Sequence, residues 1–312
     1  MPRAVVAIGG NSLIKNPAHQ TVEDQYQAAS ETTDHIAELI AGGWDLVIVH
    51  GNGPQVGFIL RRSELAAHEL HEVPLDACGA DTQGAIGYAL QQNLQNDLRR
   101  IGVSKRVVSI VTQVEVDGAD PAFQSPSKPI GSFMDADKAA ERRADGWDMV
   151  EDAGRGWRRV VASPEPKRIV ELDTIGALLD SGTTVIAVGG GGIPVVAQPD
   201  GDLRGVAAVI DKDRAAALVG VSLGAELLLI STGVEKVALD FGRPDQVDLD
   251  EITLEQARRH LAEGTHFAKG SMAPKIEAAI SFLEGGGKLV VITDPEHLGA
   301  AVAGRTGTRI VP

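Results

Sequence analysis

Short apolar, β-branched runs alternate along the chain with segments whose apolar positions recur every three to four residues. Such alternation predicts a parallel sheet covered by helices on both faces. The expected strands are Val5 to Ile8, Leu46 to His50, Val107 to Thr112, Thr184 to Val188, Leu227 to Ser231 and Leu289 to Thr293, and the first, second and fourth end in glycine. Thr21 and Asp24 stand at capping-box spacing before a helix expected over about Val22 to Ala41, which stops at Gly42 and Gly43. A second helix is expected over about Pro166 to Asp180, with Ile169, Leu172, Ile175, Leu178 and Leu179 on one face, and Thr253 with Gln256 opens a third. The rhythm breaks over residues 115–166, which hold Pro121, Pro126, Pro129, Pro164 and Pro166, two tryptophans and the charged stretch Asp135 to Asp145. That segment reads as an inserted lid rather than a further strand–helix unit.

Composition sharpens this picture in three respects. The 36 glycines in 312 residues exceed the usual share of about 7% and cluster at the ends of apolar runs, which places them in turns after strands. A formal charge of −14 would repel nucleic acid and anionic membranes over most of the surface, so any anion site must be local. Cys78 is the only cysteine and can form no intrachain disulfide, which suits a reducing, cytoplasmic setting. The apolar run at the N-terminus, Ala4 to Ile8, is too short for a signal-peptide core, and no stretch approaches the roughly 18 apolar residues of a membrane span.

Glycine lets backbone N–H groups close on an anion where a strand gives way to a helix. Three stretches fit that description: Gly9-Gly10-Asn11, Gly51-Asn52-Gly53 and the run Gly189 to Gly192. An ordinary tight turn also explains the first, whereas four consecutive glycines point to a functional backbone. Asp211-Lys212-Asp213 opens an alanine-rich helical pattern, and a lysine there opposes the helix dipole. Spacing alone leaves both a phosphate contact and a solvated turn open. Lys275 also opens a helix after Pro274, and Lys128 and Arg155 lie in the lid; each, taken singly, reads as a surface residue. Other chemistries lack their patterns: there is no G-x-x-x-x-G-K-[ST], H-x-x-x-H, H-E-x-x-H, C-x-x-C or G-x-S-x-G, and His50 at a strand end is open to a structural or a catalytic role. No metal ligand is assigned on these grounds.

Taken together, the stretches Gly9-Gly10-Asn11, His50 to Gly57, Lys128 to Gly131, Glu151 to Gly156, Gly189 to Val195, Val209 to Asp213, Gly270 to Met272 and Pro274-Lys275 resemble the carbamate kinases, a branch of the amino acid kinase superfamily, over the whole chain. The resemblance implies a three-layer αβα sandwich around a mainly parallel, about eight-stranded sheet with a small protruding lid. It further implies a single domain, with an N-terminal lobe over about 1–205 for carbamate or carbamoyl phosphate, the lid over about 115–166, and a C-terminal lobe over about 206–312 for nucleotide. Reversible phosphoryl transfer between ATP and carbamate with Mg²⁺, a homodimer, and use toward ATP in arginine or other nitrogen catabolism complete the expectation. By the same resemblance Lys212 and Lys275 contact the transferring phosphoryl group and nucleotide phosphates, Asp213 orients them, and Lys128 reaches in from the lid. Gly9, Gly10, Asn11, Gly51, Asn52, Gly53, Arg155, Gly190 and Gly191 are expected around the substrate or phosphoryl group. Ser231, Thr232, Val234, Val237 and Met272 are expected on the nucleotide. The chain has Ala7 where many related kinases carry a lysine, which leaves that charge to Lys212. Asp81, Ser132 and Lys269 depart from the family pattern; Asp81 and Ser132 keep open a related kinase of another small acid, and the fold's use as a binding module keeps open a non-catalytic nucleotide or metabolite sensor.

Overall fold

The computed structural model describes residues 1–312 except 10–12, 14–18, 20, 152–155, 269 and the side chain of residue 132. The chain begins β1 (Arg3–Ile8), α1 (Val22–Ala41), β2 (Asp45–His50), α2 (Gly53–Ala66), α3 (Leu75–Arg100) and β3 (Val107–Ser109). β4 (Gln113–Val116) leads into an excursion of β5 (Lys128–Met134), α4 (Ala136–Ala144), β6 (Met149–Glu151) and β7 (Trp157–Val161), from which β8 (Pro166–Ile169) returns. Next come α5 (Leu172–Asp180), β9 (Thr184–Ile186), β10 (Ile193–Ala197), β11 (Leu203–Gly205), α6 (Lys212–Ser222), β12 (Leu227–Ser231) and the short pair β13 (Ala238–Leu239) and β14 (Val247–Asp248). β15 (Glu251–Thr253), α7 (Leu254–Glu263), α8 (Met272–Glu284), β16 (Leu289–Thr293), α9 (Leu298–Val302) and β17 (Thr308–Val311) complete the order.

Eight strands form one sheet in the order β15-β17-β16-β12-β1-β2-β9-β3, parallel except where β16 meets β17. The period-two alternation of side chains divides each central strand between two cores. Ala4, Val6 and Ile8 face Ile36 and Ile40 of α1 and Leu90 and Leu94 of α3. Val5 and Ala7 face the opposite layer, where Ala216 of α6 and Ile276 and Phe282 of α8 are fully buried. Each large side chain so buried contributes about 1.5–3 kcal/mol, and a polar residue at any of these strand positions would break one of the two layers.

The capping boxes at Thr21/Asp24 and Thr253/Gln256 form as the spacing predicts, and the first helix has the expected bounds. Three expectations need correction. Thr184 to Val188 is a strand only to Ile186, because Val188 (φ 55°) already turns into the glycine run. Val107 to Thr112 is a strand only to Ser109, because the chain then leaves the main sheet to pair β4 with β8 and β10. The helix expected from Pro166 begins at Leu172; Pro166–Ile169 is a strand whose Lys167 and Arg168 pair with Asp117 and Glu115.

The excursion carries the expected lid: β5, β7 and β6 form a separate antiparallel sheet beside α4. It docks on α2 by direct backbone contact, since a Cβ on Gly57 would lie 2.1 Å from the Gly131 Cα. The main sheet continues across residue 205, with β1 and β12 paired in parallel at its centre. From these two strands the chain winds outward in opposite directions, which makes their C-terminal ends a topological switch point, where open α/β sheets bind ligands.

Candidate active site

A cleft of ≈ 310 Å³ lies between the end of β2, the turn after β9, the lid strand β5 and the starts of α6 and α8. Its wall includes Gly51, Asn52, Gly53, Lys128, Gly190, Lys212, Asp213 and Lys275. Residues that read singly as surface positions are thus brought together by the fold. Four basic side chains, Lys128, Arg158, Lys212 and Lys275, face two acidic ones, Asp211 and Asp213. In an acidic chain this is a local cationic pocket.

The start of α6 organises these charges. Asp211 is its N-cap: Oδ1 accepts the backbone N–H groups of Asp213 at 2.9 Å and Arg214 at 3.3 Å, while Oδ2 accepts Lys128 Nζ at 2.6 Å. Two residues later Asp213, 2% exposed, accepts Lys212 Nζ on Oδ1 and Lys275 Nζ on Oδ2, the latter at 2.9 Å. Burial opposes ionisation of Asp213, but the two ammonium groups outweigh it and hold the carboxyl well below the usual range. Asp211 is likewise lowered, its burial offset chiefly by Lys128. Desolvation pulls the Lys212 ammonium down, whereas at Lys275 the attraction of Asp213 overcomes desolvation and raises it. We therefore read the trio as two charged lysines sharing one carboxylate.

The glycine run owes its composition first to packing. Val188 (φ 55°), Gly190 (φ 68°), Gly191 and Gly192 (both φ 90°) turn through the left-handed region. A Cβ at Gly189 would lie 2.2 Å from His50 Nε2, and one at Gly190 would lie 2.1 Å from Asn52 Nδ2. At Gly191 it would meet the Ile210 carbonyl at 2.4 Å, so only Gly190 of the run also faces the cleft. His50 is fully buried behind it, pushed down to about 4 by burial and therefore neutral, with Nδ1 donating to the Gly51 carbonyl at 3.0 Å. The geometry favours the structural role for it.

Gly9 occupies the switch point, where a Cβ would lie 2.8 Å from the Ser231 carbonyl. Gly10, Asn11 and Arg155, and Lys269 among the departures, lie outside the described residues. The expected nucleotide segment starts at the C-terminal end of β12. Ser231 is buried there, Thr232 and Val234 are half-buried, and Met272 packs partly against the core. None of these lines the ≈ 310 Å³ cleft, although Ser271 does. Val237 has no surface for a ligand: its side chain is 0% exposed, its N–H donates to Thr308 Oγ1, and its carbonyl accepts from Leu249. It supports that loop from behind, as part of the core.

Two contributions were missed by sequence reasoning, the pairing of Asp211 and the role of Gln83, and the expected Asn52 turns out to be braced from α3. Asp211 was legible as an N-cap, but not as the partner of Lys128. Gln83 of α3 is buried and donates to the carbonyls of Thr112 and Gly189 while accepting the Thr112 N–H, which fixes the turn after β9. Asn52 is held by donation to Thr82 Oγ1 at 2.9 Å. No local pattern marks Gln83, since its contacts lie 29 and 106 positions away. Asp81, which motivated a different substrate, is exposed on α3 and does not line the cleft. A second cavity, of ≈ 230 Å³ between α2 and the lid, contains no residue of the α6 cluster.

Residues 2–294 match the model of the amino acid kinase family. The carbamate kinase-like protein YahI of Escherichia coli is 53% identical over 98% of both chains. Carbamate kinase of Pyrococcus horikoshii is 46% identical over 99% of both. Among solved structures, carbamate kinase from Giardia lamblia bound to AMP-PNP superposes with a TM-score of 0.91 at 38% identity, covering 99% of this chain and 98% of that one.

Proposed function

The chain belongs to the amino acid kinase family, and from that premise we propose that it is a carbamate kinase, catalysing ATP + carbamate ⇌ ADP + carbamoyl phosphate. A carboxylate oxygen of carbamate attacks the γ-phosphorus in line. The bond to the β-phosphate oxygen breaks, and its electron pair leaves on ADP. Carbamate is already an anion, so no proton need leave the reacting oxygen.

One observation carries this reading. The cleft gathers Lys128, Lys212 and Lys275, and both of its carboxylates are already bonded to those lysines. Such a site stabilises spreading negative charge and, among the described residues, offers no carboxylate as general base, which is the requirement of phosphoryl transfer to an anionic acceptor. Lys212 and Lys275 are assigned to the moving phosphoryl group, with Asp213 holding them in register. Lys128 approaches from the lid, and the backbone at Gly51, Gly53 and Gly190 faces the acceptor. Nucleotide is assigned to the side of Thr232, Val234 and Met272.

With Asp211 and Asp213 engaged, the lining offers no spare carboxylate for Mg²⁺ among the described residues. The ion would arrive with the nucleotide, held by phosphate oxygens and water. We extend the reading to a cytoplasmic homodimer working toward ATP in nitrogen catabolism. Among the described residues no helix is long and apolar enough to cross a membrane, and light scattering of the purified chain checks the dimer.

The test is a coupled assay for ATP formed from ADP and carbamoyl phosphate, with acetyl phosphate and other acyl phosphates as competing donors. Carbamoyl phosphate is expected to be the best donor, and Lys212→Ala to lower kcat by about 10²–10³. Nucleotide binding without turnover of any donor would replace the kinase by a sensor. Full activity in Lys212→Ala would remove the assigned role.

A further inference from the structure

Outside the cleft, three side chains converge where α7 ends. His260 and Glu263 lie one turn apart on α7, and Gly264 (φ 69°) caps the helix in the left-handed conformation. The chain thereby reverses and returns His266 to the last turn, anchored by the buried Phe267. His266 Nε2 lies 2.7 Å from Glu263 Oε2, and His260 Nδ1 lies 3.6 Å from the same oxygen. Donor atoms of all three fall within 4.8 Å of one another, the one such group of His, Cys, Asp or Glu among the described residues. On the far side of its ring, His266 Nδ1 lies 3.1 Å from Asp240 Oδ2.

We propose that His260, Glu263 and His266 hold one divalent transition-metal ion of the zinc class, with Asp240 orienting His266 from behind. A tetrahedral zinc ion with nitrogen and oxygen ligands at about 2.0–2.2 Å sets its donors about 3.3–3.5 Å apart. The present spacings bracket that edge, so small rotations of side chains suffice.

Hydrogen-bond accounting distinguishes a metal from a simple ion pair. If Nδ1–H of neutral His266 donates to Asp240, the Nε2 lone pair points at the Glu263 carboxylate, an arrangement that needs a cation between them. A proton there would satisfy Glu263 and His266 but leave His260 unanswered: its Nδ1 is buried and has no hydrogen-bond partner. A metal ion satisfies all three at once. Glu263 is 43% exposed against 16% for His260 and 20% for His266, so the site opens to water on the Glu263 side, where a fourth ligand can enter.

None of these residues lines the cleft. The ion would therefore act as a tie, joining α7, the loop after β13 and the segment 264–268 beyond the helix. The H-x-x-E-x-x-H spacing escapes helical zinc templates because its last histidine lies beyond the helix, on the return loop.

Equilibrium dialysis of the full chain, stripped with chelator and free of nucleotide, against zinc chloride tests the proposal. One ion per chain at micromolar or tighter dissociation constant is expected, and Co²⁺ in its place should show the visible absorption of a tetrahedral site. His260→Ala and His266→Ala should each weaken binding at least tenfold, and Asp240→Asn should weaken it with the stoichiometry kept. If His266→Ala does not fold, Glu263→Gln at the exposed edge supplies the same comparison. Absence of saturable binding in the micromolar range or tighter, or binding unchanged in the variants, overturns the site and leaves a proton-bridged ion pair.

Discussion

Asp211 and Asp213 stand two residues apart at the start of α6, yet each ties a different wall of the cleft to that helix. Asp213 gathers Lys212 and Lys275, with side-chain exposures of 3%, 12% and 12%. Asp211 holds Lys128 through one bond, with the lysine 30% exposed. The first tie is dry and doubly made, while the second is single and open to water. Solvent screens an exposed pair far more than a buried one. The comparison therefore separates a dry half of the site, on the side of α8, from a more exposed half that the lid strand supplies.

The sharpest way to break the comparison is Asp213→Asn. It would leave two buried ammonium groups beside each other without their shared counter-charge, a change that costs about 3–5 kcal/mol. Denaturation in urea should show that loss, and the rate of ATP synthesis should fall by at least about 10². A loss below about 1 kcal/mol would mean that the lysines reach water and that the two ties are alike.

Acid titration sharpens the comparison from beneath the cleft floor. His50 is pushed down to about 4 from 6.5, so the unfolded state takes up its proton first as pH falls. Its contribution is fully present above about pH 6.5, declines below it and is lost by about pH 4, a total of about 3 kcal/mol. Asp211 and Asp213 have depressed values, so their contributions persist through that window and fail only below the ordinary carboxylate range. Urea midpoints measured from pH 7.5 to 4.5 should thus decline in the wild type and much less in His50→Gln. An equal decline in both would assign the acid sensitivity elsewhere.

The dry half was more legible in the sequence than the lid half, for physical reasons. Strands such as Leu227–Ser231 are short, apolar and bounded by turns, and the capping boxes are local signals, so these elements appear in one dimension. β15 and β17 escaped because Glu251–Thr253 and Thr308–Val311 are edge-side strands of three and four residues. α3 escaped despite its 26 residues, since its polar Gln83 and Thr82 are buried to brace turns, which blurs the helical stripe. The lysines could be found as motif members, with Asp213 between two of them, but the pairing of Lys128 with Asp211 could not, because they are 83 positions apart. The glycine run was visible and only half understood: positive φ and contact with His50 and Asn52 require glycine before any ligand is considered.

On the lid side the effects should be smaller. Gly57→Ala would drive a Cβ into the Gly131 backbone at 2.1 Å, and the lid must shift away from α2. Overpacking of this kind costs about 1–3 kcal/mol. Because Lys128 is carried on the same strand, β5, as Gly131, the rate should fall with it while nucleotide affinity, read by calorimetry, stays within about threefold, under about 0.7 kcal/mol. Equal losses in rate and nucleotide affinity would show that the two halves move as one body.

Lys128→Met should have the smallest effect on stability, about 1 kcal/mol, because the lysine is partly exposed and Asp211 keeps its two backbone donors. Its effect on rate is the informative part. If Lys128 serves the moving phosphoryl group, kcat should drop about 10- to 100-fold, a loss of about 1.4–2.7 kcal/mol in the barrier. The wild-type rate should also be more sensitive to added salt than that of Lys128→Met, since the variant lacks the exposed pair that salt screens. A variant that loses stability as Asp213→Asn does, with kcat unchanged, would reverse the assignment and make the lid tie the structural one.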